Sequence, residues 1–121
     1  MTDTQIVADG YIALWNARDA AQRQALLARH WSTEASYADP LMRGDGHDGI
    51  DALVTGVQQR FPDFRFRLRG TPDGHGDHVR FSWSLGPDDA EAPIEGTDYV
   101  ELAGGRIRRV TGFLDKVPPA A

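Results

Sequence analysis

Three residues have the types and placements that acid–base chemistry needs: Asp98, Asp39 and Tyr11. In Gly96-Thr97-Asp98-Tyr99-Val100-Glu101-Leu102, strand alternation puts Asp98 with Val100 and Leu102, opposite Thr97, Tyr99 and Glu101. A carboxyl group on an apolar sheet face must be paired, hydrogen-bonded or protonated, and once protonated it becomes a hydrogen-bond donor. A core aspartate satisfied by backbone or by an arginine is the other reading of that position. Asp39 falls where a strand breaks into a loop at Asp39-Pro40, a common place for functional side chains, although an aspartate before proline also starts turns. Tyr11 sits on the apolar stripe of the first helix with a hydroxyl to satisfy, as core tyrosines also do.

The remaining polar and aromatic candidates are less distinctive. His47 precedes the third helix, and its near-neutral pKa makes it a candidate ligand contact as well as a structural residue. His30 ends a helix, where a cation suits the dipole. His75 and His78 share a turn with Asp73 and Asp77, a cluster that reads as a solvated loop rather than a metal site. Trp15, Trp31, Trp83 and Phe113 are candidate pocket walls that would equally serve as plain core. No P-loop, dinucleotide fingerprint, histidine zinc motif or serine hydrolase elbow occurs. With no cysteine in the chain, a disulfide framework, a thiolate nucleophile and a zinc–cysteine site are excluded. No motif calls for a metal or an organic cofactor.

These side chains need elements to position them. A first helix over residues 4–17 carries Val7, Tyr11, Leu14 and Trp15 on one stripe. Asp19, with Gln22 in capping-box position, starts a second helix through His30, whose buried side is Leu26, Leu27 and Trp31. Residues 34–39 read as a short strand ended by Pro40, followed by a glycine-rich loop over 41–49. Asp48 can cap a third helix over 49–60 with Ile50, Leu53, Val54 and Val57 inward, and Asp51 sits near its positive end. Phe64, Phe66 and Leu68 share one strand face and Arg65, Arg67 and Arg69 the other. Residues 71–77 have turn chemistry. Val79, Phe81, Trp83 and Leu85 alternate with polar residues. A turn-rich stretch over 86–93 precedes strands at 94–102 and 106–115, joined by Ala103-Gly104-Gly105. The order implies an α+β domain of three helices on an antiparallel sheet, because only the helices can cover the apolar sheet face.

The chain has 121 residues, 40% hydrophobic and 26% charged, which fits one globular domain and no more. No apolar run reaches transmembrane length, and the first residues lack a signal peptide's pattern, so the expectation is a cytoplasmic protein away from membranes. A net charge of −5 argues against nucleic acid as a partner. The alternating arginines at 65, 67 and 69 read as a solvated or subunit-contacting face.

The stretches Tyr11-Ile12-Ala13-Leu14-Trp15-Asn16, Ala38-Asp39-Pro40, Gly46-His47-Asp48-Gly49-Ile50, Gly96-Thr97-Asp98 and Gly105-Arg106-Ile107 occur in one order along nearly the whole chain. In that ordered set the chain resembles the nuclear transport factor 2-like superfamily, and within it the SnoaL-like polyketide cyclases and ketosteroid isomerases. The resemblance implies a cone-shaped, cystatin-like α+β domain with a curved antiparallel sheet over residues 1–117, with 118–121 as a loose tail, and a homodimer formed through the outer sheet face. It further implies Asp39 as a general base, with Tyr11 and a neutral Asp98 as donors to a substrate oxygen. Trp15, Trp31, His47, Trp83 and Phe113 would line the ligand pocket. The activity implied is a cofactor-free isomerase, cyclase or dehydratase that moves a proton next to a carbonyl in a small apolar molecule. A non-catalytic dimeric domain that binds a ligand or a protein is the alternative, since this fold hosts both.

Overall fold

A computed structural model describes residues 3–118. Its elements run α1 (Thr4–Asn16), α2 (Ala20–His30), β1 (Trp31–Ala38), β2 (Arg43–Asp45), α3 (Gly46–Arg60), β3 (Arg65–His75), β4 (His78–Gly86), β5 (Ile94–Ala103) and β6 (Arg106–Lys116). Three helices thus cover one six-stranded sheet, ordered β2-β1-β6-β5-β4-β3. The α+β class expected from the sequence holds, with one refinement. Every pairing is antiparallel except β1 with β6, which run parallel. Most of the expected tail, residues 119–121, lies outside the described residues. No helix among the described residues is long and apolar enough to cross a membrane.

Local chemistry sets the helix starts. Asp3 caps α1 by accepting from the backbone N–H groups of Gln5 and Ile6, and Asp19 caps α2 by accepting from that of Gln22. Asp48 is not the cap of α3. That helix begins earlier, with Asp45 at the N-cap and no side-chain cap bond, and Asp48 lies in its first turn. Gly46 supplies the positive φ of 71° that lets the chain pass from β2 into the helix. Asp51 binds the buried Arg23 at 2.6 Å and so ties α3 to α2. His30 also departs from expectation. Its ring packs where a Cβ on Gly10 would be, and burial, with Arg29 nearby, pushes its pKa down, which favours the neutral form over a dipole-stabilising cation.

The strands are longer than the turn residues suggested. β1 starts directly at Trp31, and the expected loop over 41–49 contains β2. Residues 71–75 continue β3 past an irregularity between Arg69 and Asp73, near Gly70 with φ of 70°. The β5–β6 turn is Gly104-Gly105, both at positive φ, as a two-residue type I′ hairpin requires.

One irregularity decides which side chains face the helices. Glu101 pairs with Arg109 and Leu102 with Ile107, so Arg108 is an extra residue in β6, a bulge that shifts the inward phase. Beyond it Val110, Gly112 and Leu114 face inward, and Phe113 points out. The concave side fills with Leu14, Leu27, Ile50, Val54, Val79 and Val100, all fully buried. Aromatic rings pack edge and face around Tyr11: Phe81 at 4.9 Å, Trp31 at 5.8 Å and Trp15 at 6.1 Å between centroids.

Candidate active site

The sheet and helices leave a cavity of about 90 Å³, room for a few small groups. Tyr11 and Trp15 reach it from α1, Tyr37 from β1, Asp39 from the loop after β1, Trp83 from β4 and Asp98 from β5. The other lining side chains are apolar, among them Phe61, Phe66, Leu85 and Leu114. Leu41, 77% exposed, stands at the open side. Asp39, Asp98 and Tyr11 therefore converge on a single volume.

Asp98 is 1% exposed and faces the core between Gly96 and Val100, as alternation requires. Its Oδ2 accepts the Tyr11 hydroxyl. Its Oδ1 is enclosed and has no hydrogen-bond partner. Burial pushes its pKa from 3.8 up to about 6; hydrogen bonding from Tyr11 and the nearby Trp83 indole restrain the rise, while the charges of Asp39 and Asp115 add to it. The Trp83 N–H makes no fully formed hydrogen bond, so its effect is that of a close dipole. Burial and Asp98 together hold the Tyr11 hydroxyl well above its ordinary pKa, keeping it a neutral donor.

Asp39 is built into a clasp. Its Oδ1 accepts from the backbone N–H groups of Leu41 at 2.8 Å and Met42 at 3.0 Å. Its Oδ2 accepts the Tyr37 hydroxyl at 2.7 Å, and its own N–H bonds the Met42 carbonyl at 3.0 Å. Proline at position 40 suits this turn because the residue before it stays extended. Oδ2 accepts one hydrogen bond and keeps a lone pair for another.

Tyr37 is the residue that reading the sequence missed. Burial first, then the negative charge of Asp98, pushes its hydroxyl pKa far up, so it stays protonated and donates. A signal was present, because Tyr37 and Asp39 are two apart and so share a strand face. Gly112 was missed as well. A Cβ there would lie 2.9 Å from Asp98 Oδ1, 3.0 Å from Asp39 Cβ and 3.5 Å from the Tyr37 hydroxyl. Its missing side chain lets the Asp98 carboxyl and the Asp39 Cβ pack this closely against β6.

Of the five expected wall residues, Trp15 and Trp83 line the cavity. Trp31 is buried behind Tyr11 and stacks on its ring instead. His47 bonds the Trp31 carbonyl at 3.0 Å through Nε2 and joins α3 to β1 away from the cavity. Phe113 is 55% exposed on the outer face, because the bulge at Arg108 reverses the strand phase. Among the described residues no group of three or more His, Asp or Glu side chains is placed to hold a metal ion.

The SnoaL-like domain family matches residues 8–110 of the chain. A proposed isomerase of the SnoaL-like family from Agrobacterium tumefaciens is 46% identical, with a TM-score of 0.90, over 95% of this chain and 99% of its own. A proposed ketosteroid isomerase from Kribbella flavida is 20% identical, with a TM-score of 0.70, over 98% of this chain and 83% of its own. A proposed SnoaL-like polyketide cyclase from Jannaschia is 13% identical, with a TM-score of 0.73, over 93% and 85%. The last two establish likeness of fold alone. No curated protein matches the chain.

Proposed function

The chain belongs to the SnoaL-like domain family, and from that premise we propose that it is a cofactor-free enzyme that moves a proton next to a carbonyl in a small, largely apolar molecule. The observation that carries this reading is the carboxyl pair on one cavity: Asp98, enclosed with a raised pKa, and Asp39, held by its own loop, both line it. Two carboxyl groups whose surroundings differ in this way divide into an acid and a base.

In the proposed mechanism Asp39 Oδ2 takes a proton from the carbon beside the carbonyl. Asp98 in its protonated form donates from Oδ1 to the carbonyl oxygen as that oxygen gains negative charge. Tyr11 has a single O–H, and it is given to Asp98 Oδ2. Tyr11 therefore acts through Asp98, by fixing which oxygen keeps the proton, rather than touching the substrate oxygen itself. An enclosed donor to a developing oxyanion is worth about 3 kcal/mol of barrier, and a positioned base adds roughly 10²–10⁴-fold. The apolar walls keep water out, which strengthens both effects.

A homodimer through the outer sheet face is part of the proposal. Tyr99 and Phe113 are exposed on that face, and Thr97 pairs with Phe113 and Tyr99 with Thr111 in the ladder. Arg67 and Arg69 bind Asp88 and Glu95 within the chain, which favours the ring pair over the arginines as the contact.

One observation favours a second reading. Asp39 accepts three hydrogen bonds from nearby residues, as a loop clasp in a non-catalytic binding domain would. Incubating the protein with pentan-2-one in deuterated buffer separates the two. Deuterium entering beside the carbonyl above the buffer rate supports the enzyme; binding without exchange supports the binding domain.

A further inference from the structure

Two tryptophans that line the cavity each bury an indole N–H without an acceptor: Nε1 of Trp15 and Nε1 of Trp83. The fold sets both positions. Trp83 pairs across the ladder with Gly96, and a Cβ on Gly96 would lie 2.3 Å from Trp83 Cζ2 and 2.7 Å from its Cε2. The indole thus lies against bare backbone, and Phe66 packs edge-on against it at 5.3 Å. Asp98 is the next inward residue of β5 after Gly96, which brings it beside the ring, and the indole restrains the rise of its pKa. Trp15 follows Tyr11 by one helical turn, and its indole acts on the Tyr11 hydroxyl in the same way. Each indole therefore accompanies one member of the Tyr11–Asp98 pair.

Among the described residues that line the cavity, the buried side-chain polar atoms without a partner are these two donors and one acceptor, Asp98 Oδ1. Protonating Asp98 turns that acceptor into a third donor. A buried donor without an acceptor is unfavourable, and a ligand oxygen that satisfies it recovers the loss. One carbonyl oxygen bound to Asp98 would leave the indoles unserved.

Resting on the acid–base reading above, we propose that Trp15 and Trp83 are ligand-binding donors. Their N–H groups take a second acceptor oxygen while Asp98 takes the first, so the cavity selects compact molecules with two acceptor oxygens over monoketones of the same size. Trp31 is an internal control. Its Nε1 is also buried and unpartnered, but its ring stacks behind Tyr11 and does not line the cavity.

The test is a titration of the ¹⁵N-labelled protein with pentane-2,4-dione and, separately, pentan-2-one, read on the indole N–H resonances. The dione should move the Trp15 and Trp83 resonances downfield and leave that of Trp31 in place. It should bind roughly tenfold more tightly than the monoketone, and Trp83→Phe and Trp15→Phe should each cut that preference about fivefold. Absence of dione binding, indole resonances that stay put at saturation, or a preference unchanged in both variants overturns the proposal. The readout is binding, so it separates from the chemistry. An indole-dependent preference without deuterium exchange keeps this inference and removes the acid–base reading, and exchange without indole involvement does the reverse.

Discussion

Asp39 and Asp98 face each other across Gly112, where a single added carbon would lie 3.0 Å from Asp39 Cβ and 2.9 Å from Asp98 Oδ1. The two carboxyl groups come from distant parts of the chain. The parallel pairing of β1 with β6 and the bulge at Arg108 bring both to this spot.

Gly112→Ala should therefore displace both aspartate side chains. The strand can shift only by disturbing its pairing with Asp98, at a cost of about 1–3 kcal/mol. Ketone binding, followed by NMR, should be lost while the fold persists. Unchanged binding would mean that the ligand does not depend on how these two side chains are set.

Asp98 should make stability depend on pH with a defined sign. Its pKa is about 6 in the folded chain against an ordinary 3.8, so between these values the folded state holds more protons than the unfolded state. Unfolding free energy from this group therefore falls as pH rises from about 4 to about 6, by roughly 3 kcal/mol in total, and is flat above. Asp98→Asn removes that dependence. Urea unfolding of both proteins across this range should show the wild type losing ground to the variant as pH rises; parallel curves would count against the shift.

Ligand binding should follow the same group in solution. If the protonated form of Asp98 takes the ligand oxygen, affinity is steady below pH 6 and falls about tenfold per unit above it. Tyr11→Phe removes a hydrogen bond that restrains the pKa of Asp98, so the fall should begin at higher pH in that variant. A midpoint that Tyr11→Phe leaves in place would show that Tyr11 does not act through Asp98.

The outer-face dimer is tested at Phe113. Light scattering should give a dimer for the wild type and a monomer for Phe113→Glu, because a buried unpaired carboxylate at a two-fold contact is doubled by symmetry. Asp98 titration should be unaffected. A monomeric wild type at micromolar concentration would contradict the proposed interface.

Much of this was legible in the chain. The α1 stripe, the Asp19 cap, the alternation over 79–85 and the inward place of Asp98 follow from local periodicity and capping, and local physics decides them. Errors arose where a non-local register decides. Phe113 reads as inward from the sequence alone because nothing near Arg108 signals an extra residue; the bulge exists only against β5. Trp31 and His47 read as pocket walls from the sequence alone because residue type does not reveal which side of Tyr11 a ring occupies. The roles of Gly112 and Gly96 are absences of a side chain, so they appear only once the opposing Asp98 and Trp83 are in place.

Whether Asp39 is the base that works with an acid at Asp98 is decided by one comparison. Deuterium exchange into pentan-2-one is measured for the wild type and for Asp39→Asn, alongside the affinity of each for the ketone. The asparagine keeps a carbonyl oxygen for the Leu41 and Met42 N–H groups, so the loop should stay closed. If Asp39 is the base, exchange falls by at least about 10²-fold while affinity stays within a fewfold of wild type. Exchange that persists at the wild-type rate in a variant that still binds the ketone would contradict it.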